Sequence, residues 1–114
     1  MENTYLERLL AEAPKPLTIG ENLVLREYLK SKQEGWDTLT LTCISWEQDH
    51  ADMIRLMQAA GIRTFVLADT STGLMGALHA FLNSGFEVQG PKIVKPPESN
   101  WGKPVLGLEM RMKR

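Results

Sequence analysis

The first third of the chain has hydrophobic residues at the spacing of amphipathic helices. One helix is predicted over residues 4–12, and Pro14 ends it because proline cannot donate a helix hydrogen bond. A second helix is predicted over residues 21–33, followed by Gly35, the residue type most often found just beyond a helix end. Two helices therefore precede the first predicted strand.

The hydrophobic period changes to two between residues 36 and 44. Leu39 and Leu41 alternate there with threonines, which is typical of a half-buried strand. Ser45 follows and is expected to cap a helix over residues 46–60. This stretch predicts a strand that leads directly into a helix.

The second half of the chain continues the alternation of strands and helices. Residues 62–68 are mostly apolar on both faces, which predicts a central strand covered by helices on both sides. A helix is predicted over residues 74–84. A third strand begins at Phe86 and is expected to break or bulge at Gly90 and the proline after it, and the last strand spans residues 105–113.

The resulting element order is ααβαβαββ, which predicts a single α/β domain over residues 1–114 with a mixed sheet of about four strands. Helices connect the first three strands, so these strands are expected to run parallel with right-handed crossovers. The last two strands are expected to form an antiparallel hairpin.

Composition places the chain among ordinary globular proteins, since 43% of its 114 residues are hydrophobic and 24% are charged. The net charge of −1 argues against a general affinity for nucleic acid. No apolar segment approaches the roughly 20 residues of a membrane span, and the first residues lack the pattern of a secretion signal. We therefore expect a cytoplasmic protein that binds neither nucleic acid nor membrane.

The charges are unevenly distributed along the chain. Residues 91–114 contain six basic and two acidic side chains, a net charge of +4, whereas residues 1–90 have a net charge of −5. One interpretation is that the two parts pair within a single fold. The other is that the basic segment forms an edge that binds an acidic partner.

Few side chains suggest catalysis. The lone Cys43 lies on the apolar side of its predicted strand, which indicates a buried, inert thiol. No cluster of cysteines and histidines indicates a metal site, and no sequence pattern indicates a cofactor. His50 is expected to be a packed histidine rather than a base, and His79 to be solvated.

The strongest candidate ligand site lies beyond the carboxyl ends of the parallel strands, where ligands bind in open α/β sheets. Two predicted helices begin there, and their free N–H groups and dipoles favour an anion. The same hydroxyl-bearing residues are also ordinary helix caps, a role that needs no ligand. The candidate ligand-binding residues are Ser45, Asp69, Thr70, Ser71, Thr72 and Gly73.

Two tryptophans are candidate interface residues. Trp36 and Trp101 fall in loop-like positions, where large aromatic side chains often dominate a protein–protein contact. The alternative is that they pack at the rim of the core.

A strand at 62–67, the sequence Gly-Phe-Glu-Val-Gln-Gly at 85–90 and a final strand at 108–113 follow one another in this order. This arrangement resembles the C-terminal half of the GNAT acetyltransferase superfamily. With the preceding strand and helix, which would correspond to the strand and cofactor-binding helix of that superfamily, the resemblance covers about two thirds of the chain. It implies a GNAT-like C-terminal half.

Two features differ from the pattern that acetyl transfer requires. The superfamily binds the pyrophosphate of acetyl-CoA with a glycine-rich loop, whereas residues 45–50 contain no glycine and include acidic side chains. The tyrosine that often serves there as general acid corresponds to Phe81, which has no proton to donate. We therefore expect no binding of acetyl-CoA.

Three functions remain open. The first is a non-catalytic binding or regulatory domain that acts through protein contacts. The second is a minimal GNAT-like acyltransferase or other small-ligand-binding protein, and the third is a structural subunit of an oligomer. A small sheet leaves two edges to be covered, so we expect a homo-oligomer, most simply a twofold dimer.

Overall fold

The computed structural model describes residues 2–12, 16–42, 50–68, 74–94 and 105–113. The order of elements is the predicted one. In chain order they are α1 (Thr4–Glu12), α2 (Ile19–Gln33), β1 (Thr40–Leu41), α3 (His50–Ala59), β2 (Thr64–Leu67), α4 (Leu74–Asn83), β3 (Phe86–Val94) and β4 (Val105–Met112).

The four strands form one mixed sheet in the order β1-β2-β4-β3. β1 and β2 are parallel, and the two C-terminal strands form the predicted antiparallel hairpin. β2 lies inside the sheet, which confirms the prediction of a central strand. β4 is inserted between β2 and β3 and is antiparallel to both, so β3 runs in the direction of β2 without being bonded to it.

The second helix begins two residues earlier than predicted because of its cap. The side chain of Thr18 accepts a hydrogen bond from the Glu21 backbone N–H (3.2 Å), and the Glu21 carboxylate accepts one from the Thr18 backbone N–H (2.9 Å). This reciprocal pair is a capping box, and it fixes the start of α2 at Ile19.

The predicted strand over 36–44 is wrong for its first residues. The backbone N–H of Trp36 donates to the Ser31 carbonyl (3.0 Å), and Gly35 takes a φ of 75°, so the chain is still turning out of α2 there. Only Thr40–Leu41 of the described part is strand, and residues 43 and 44 lie outside the described residues.

The main core lies between the helices and one face of the sheet, called here the helix face. All four helices contribute buried residues to it, beginning with Leu6 of α1. At its centre, the rings of Phe65, Phe81 and Phe86 contact one another with centroids 4.6 to 5.7 Å apart. Other strand residues on this face are Leu41, Leu67 and Met110.

The opposite face of the sheet, called here the Trp36 face, differs from the predicted second layer of helices. The buried cluster on it consists of Trp36, Val66, Ala68 and Val94, none of which lies in a helix. Trp36 comes from the turn after α2, and Val94 from the end of β3. Among the described residues, a tryptophan and a strand end therefore cover the face that we expected a helix to cover.

None of the described helices combines the length and the apolar content that crossing a membrane requires.

Candidate functional site

The predicted ligand site at the strand ends falls on residues for which the structure gives no description. Ser45, Asp69, Thr70, Ser71, Thr72 and Gly73 all lie outside the described residues, as do Cys43 and Trp101. Of the predicted ligand-binding and interface residues, Trp36 lies in the described part of the chain, in the turn after α2.

Glu27 is a nearly buried carboxylate at the carboxyl end of β1, with 2% of its surface exposed. Its Oε1 accepts hydrogen bonds from the Thr42 backbone N–H (2.6 Å) and from the Thr42 hydroxyl (2.8 Å). Lys30 Nζ donates to the same hydroxyl (2.9 Å). In the sequence, Glu27 shares the helical spacing of Leu23, Val24 and Tyr28, and this spacing is the signal that it faces the core.

Ser31 extends the same contact along the outer edge of β1. The Ser31 Oγ accepts a hydrogen bond from the Thr40 backbone N–H (3.0 Å) and donates to the Thr40 carbonyl (3.4 Å). Side chains of α2 thus occupy the positions that a neighbouring strand would take. The expectation that a second chain must cover the sheet edges is therefore wrong for the β1 edge.

β3 forms the other edge of the sheet and is interrupted rather than covered. The register of the hairpin shifts between Val88 and Gly90, and Gly90 has a φ of 151°. Pro91 follows and has no N–H to donate, and Lys92 adds a charge. A bulge, a proline and a lysine on an edge strand all oppose pairing with another strand, so strand pairing between two chains is disfavoured at this edge.

A charged surface surrounds Thr64 at the beginning of β2, and it is called here the Thr64 surface. It consists of Thr64, a basic cleft lined by Arg63, Arg111 and Lys113, and an acidic cleft that includes Glu2 and Asp37. The basic cleft has a volume of about 280 Å³ and the acidic cleft about 270 Å³. Thr64 lines both clefts, so opposite charges lie on its two sides.

Two residues of the Thr64 surface, Thr64 and Arg111, have side chains on the Trp36 face of the sheet. Thr64 lies directly opposite Arg111 in the antiparallel pair, and the next pair is Phe65 with Met110, which belongs to the core. Since successive strand residues point to opposite faces, Thr64 and Arg111 point away from the helices.

The acidic and basic side chains of this surface differ in their existing partners. Glu2 Oε2 lies 3.8 Å from Lys32 Nζ, and Asp37 Oδ1 lies 3.5 Å from Lys92 Nζ, but the two acidic side chains are 73% and 87% exposed. Such exposed pairs stabilise a fold by at most about 1 kcal/mol. The three basic side chains of the basic cleft, Arg63, Arg111 and Lys113, are all exposed. None of them forms an ion pair with another described residue.

A hydrogen-bond network built on Tyr28 forms the floor of the acidic cleft. The Tyr28 hydroxyl donates to Glu7 Oε2 (2.7 Å) and accepts from the Asn3 backbone N–H (2.9 Å). Lys32 also pairs with Glu7. This network fixes α1 on α2.

The network also shifts three pKa values. Burial, with the Glu7 hydrogen bond second, raises the pKa of Tyr28. The hydrogen bond from Lys32 and then that from Tyr28 lower the pKa of Glu7, and the same Lys32–Glu7 bond raises the pKa of Lys32. The three groups therefore hold their neutral pH protonation states over a wider pH range than free side chains would.

The described histidines are placed as the sequence suggested. His50 is 2% exposed and is the first residue of α3, and His79 is exposed on α4, within 3.4 Å of the Asn83 amide. No group of three potential metal ligands is formed among the described residues.

Comparison with known proteins assigns a family to the chain. The model of the family described as "Domain of unknown function (DUF7698)" matches residues 23–111. The chain belongs to the DUF7698 family. Neither the curated proteins nor the solved structures contain a significant match to it.

The DUF7698 match includes some but not all of the Thr64 surface. Asp37, Arg63, Thr64 and Arg111 lie inside it, whereas Glu2 lies before it and Lys113 after it. Nearly all of the sheet therefore lies within the part of the chain that matches the family model.

Proposed function

We propose that this chain is a non-catalytic protein-binding domain, and that its Thr64 surface binds a second copy of the same chain. The observation that supports the proposal is the position of a basic and an acidic cleft on the two sides of one residue. A twofold axis close to Thr64 would place the basic cleft of each protomer against the acidic cleft of the other. A twofold interface requires this kind of self-complementary surface.

The weakness of the ion pairs within one chain favours such a contact. The exposed ion pairs of Glu2 and Asp37 contribute little, so these carboxylates exchange partners at small cost. Charge complementarity across an interface fixes orientation and accelerates association. Because the charges are exposed before binding, salt is expected to weaken the dimer.

The non-catalytic part of the proposal rests on Phe81. This residue stands where the GNAT resemblance would require a proton donor, and it is fully buried among the other aromatic rings of the core. The resemblance itself stays a prediction. We further propose a reducing, cytoplasmic setting, supported by the single cysteine of the sequence.

Light scattering at micromolar concentration tests the proposed dimer. At low ionic strength we expect a mass about twice the 12.8 kDa of one chain, falling toward the single-chain value at high salt. The Arg111→Glu variant should be monomeric in both conditions. The Arg26→Glu variant, which reverses an exposed charge on α2, is the matched control and should remain dimeric.

Two results would contradict the proposal. One is a mass of 12.8 kDa for the unmodified chain at low salt. The other is an equal loss of dimer in the Arg111 and Arg26 variants, since a general charge effect would then explain the result. Circular dichroism of both variants confirms that they are folded.

A further inference from the structure

A separate cleft opens on the Trp36 face at the other end of the turn that contains Asp37. It is called here the Trp36 cleft and has a volume of about 300 Å³. The described residues that line it are Gly35, Trp36, Asp37, Thr40, Val66, Lys92, Ile93 and Val94.

The interior of this cleft is apolar and formed by well-packed side chains. Trp36, Val66 and Val94 belong to the buried cluster of this face and are 8%, 1% and 5% exposed. Thr40 lies beside them on β1 and is 2% exposed, with its hydroxyl donating to the Thr38 carbonyl (3.0 Å). The walls are therefore held in place by the fold, as in most preformed small-molecule sites.

The charges of the cleft are concentrated on two of its residues. Lys92 Nζ lies 3.5 Å from Asp37 Oδ1, and the two side chains are 34% and 87% exposed. The Lys92 side chain lines the cleft and is partly buried, whereas the carboxylate that neutralises it is almost fully solvated. An exposed pair of this kind contributes little to stability, so another anion can replace Asp37.

We propose that the Trp36 cleft binds a small anionic amphipathic molecule, with an aromatic or branched apolar group and one carboxylate. The apolar group contacts Trp36, Val66 and Val94, and the carboxylate takes the place of Asp37 at Lys92. A cavity of about 150 Å³ holds one benzene ring. The volume of this cleft accordingly suits a group of about two fused rings.

The test uses 2-naphthoate as the anionic probe and 2-naphthamide as its neutral counterpart, titrated into the ¹⁵N-labelled chain and followed by NMR. We expect 2-naphthoate to shift the signals of Trp36, Val66 and Val94. The Lys92→Gln variant should bind 2-naphthoate about fivefold more weakly and 2-naphthamide equally well, since about 1 kcal/mol of charge interaction is lost. Arg26→Gln is the matched control and should bind both probes as the unmodified chain does.

The Asp37→Asn variant should change the affinity for 2-naphthoate in the opposite direction. Because Asp37 competes for Lys92, its removal should tighten the binding of 2-naphthoate and leave that of 2-naphthamide unchanged. Asp37 also belongs to the Thr64 surface, so the titrations are repeated in the Arg111→Glu background to exclude any effect of dimerisation. Equal results in both backgrounds separate this site from the proposed dimer.

Three outcomes would overturn the inference. The first is no shift at the cleft residues up to millimolar 2-naphthoate. The second is shifts confined to Arg63, Arg111 and Lys113, which would place the anion at the basic cleft. The third is equal binding of 2-naphthoate by the unmodified chain and the Lys92→Gln variant.

Discussion

The two faces of the sheet use neighbouring residues for different purposes. On the helix face, Phe65 packs against two other phenylalanines under four helices. On the Trp36 face, Thr64 and Val66 flank that same residue, and they line clefts instead of a helix interface. One side of a four-residue strand therefore packs in the main core, and the other side carries the exposed Thr64 beside the buried Val66.

This difference has a physical reason. Apolar contacts with helices bury a large area at about 25 cal/mol for each Å², so the helix face supplies most of the folding free energy. On the Trp36 face, the described residues that pack with Val66 and Ala68 are Trp36 and Val94. Arg63, Arg111 and Lys113 near its end are exposed, so the core places no packing constraint on them.

The largest effect is expected from substituting adjacent residues of β2 that point to opposite faces. Phe65→Ala should lower the free energy of unfolding by about 3–5 kcal/mol, because it leaves a cavity among fully buried rings. Val66→Ala should lower the free energy of unfolding clearly less, because the buried cluster on the Trp36 face contains only a few residues. Urea denaturation measures both, and a cost of Val66→Ala equal to that of Phe65→Ala would break the comparison.

Substituting Gly107 of β4 tests how closely β4 packs against Val66 on the Trp36 face. A Cβ added at this position would lie 2.6 Å from Val66 Cγ1 and 3.1 Å from the Leu67 carbonyl oxygen. Gly107→Ala should therefore cost about 1–3 kcal/mol of stability through overpacking. In a Val66→Ala background the same change should cost less, because the nearest atom is gone. Equal costs in the two backgrounds of this double-mutant cycle would contradict the close contact.

Substituting Glu27 tests whether its hydrogen bonds to Thr42 close the β1 edge of the sheet. Glu27→Ala leaves the Thr42 N–H without its acceptor, and we expect a loss of about 1.5–3 kcal/mol, the range for hydrogen bonds to charged groups. The amide proton of Thr42 should also exchange faster with solvent. Glu12→Ala changes an exposed glutamate of α1 and serves as control. Unchanged exchange at Thr42 would show that Glu27 does not cap the edge.

The smallest effect expected is a change of stability with pH, through the Tyr28–Glu7–Lys32 network that holds α1 on α2. Raised pKa values mean that Tyr28 and Lys32 stabilise the fold fully below their ordinary pKa of about 10, and that this contribution is lost as pH rises through the folded values. The lowered pKa of Glu7 acts in the opposite sense, so its contribution is lost as pH falls below the ordinary value of about 4.3.

Denaturation of the unmodified chain and of Tyr28→Phe between pH 8 and pH 11 measures the alkaline part. The stability of the unmodified chain should fall more steeply than that of Tyr28→Phe, since only the former loses a buried hydroxyl proton. Tyr5→Phe removes the hydroxyl of a residue that is 43% exposed, and this variant should follow the unmodified chain. Parallel curves for the unmodified chain and Tyr28→Phe would argue against the raised pKa.

Periodicity predicted the elements and their order well because each depends on a local pattern. It predicted the central position of β2 from two apolar faces, and the bulge of β3 from Gly90 and Pro91. The alternation along β4 places Leu106 on the same face as Met110, but Leu106 is 67% exposed because β4 extends beyond the end of β2. Burial depends on strand lengths that the local pattern does not contain.

The candidate site was harder to predict than the fold. Both clefts of the Thr64 surface combine residues from distant parts of the chain, such as Glu2 with Asp37 and Arg63 with Arg111. Only the sheet order brings them together, and no spacing in the sequence encodes it. The uneven charge distribution did indicate a basic segment, although not that Arg63 of the acidic part joins it. Trp36 was a candidate interface residue, and the structure places it against Val66 with 8% of its surface exposed.

The central claim, that the Thr64 surface is self-complementary, is tested most directly by mixing two charge-reversed variants. One carries Arg63→Glu with Arg111→Glu, and the other carries Glu2→Lys with Asp37→Lys, all at exposed or cleft-lining positions. Each variant alone places like charges against each other across the twofold axis, so each should scatter light as a monomer of about 12.8 kDa. Their equimolar mixture restores both contacts and should form a heterodimer of about twice that mass. A mixture that stays monomeric while the unmodified chain is dimeric would contradict the pairing of these two clefts.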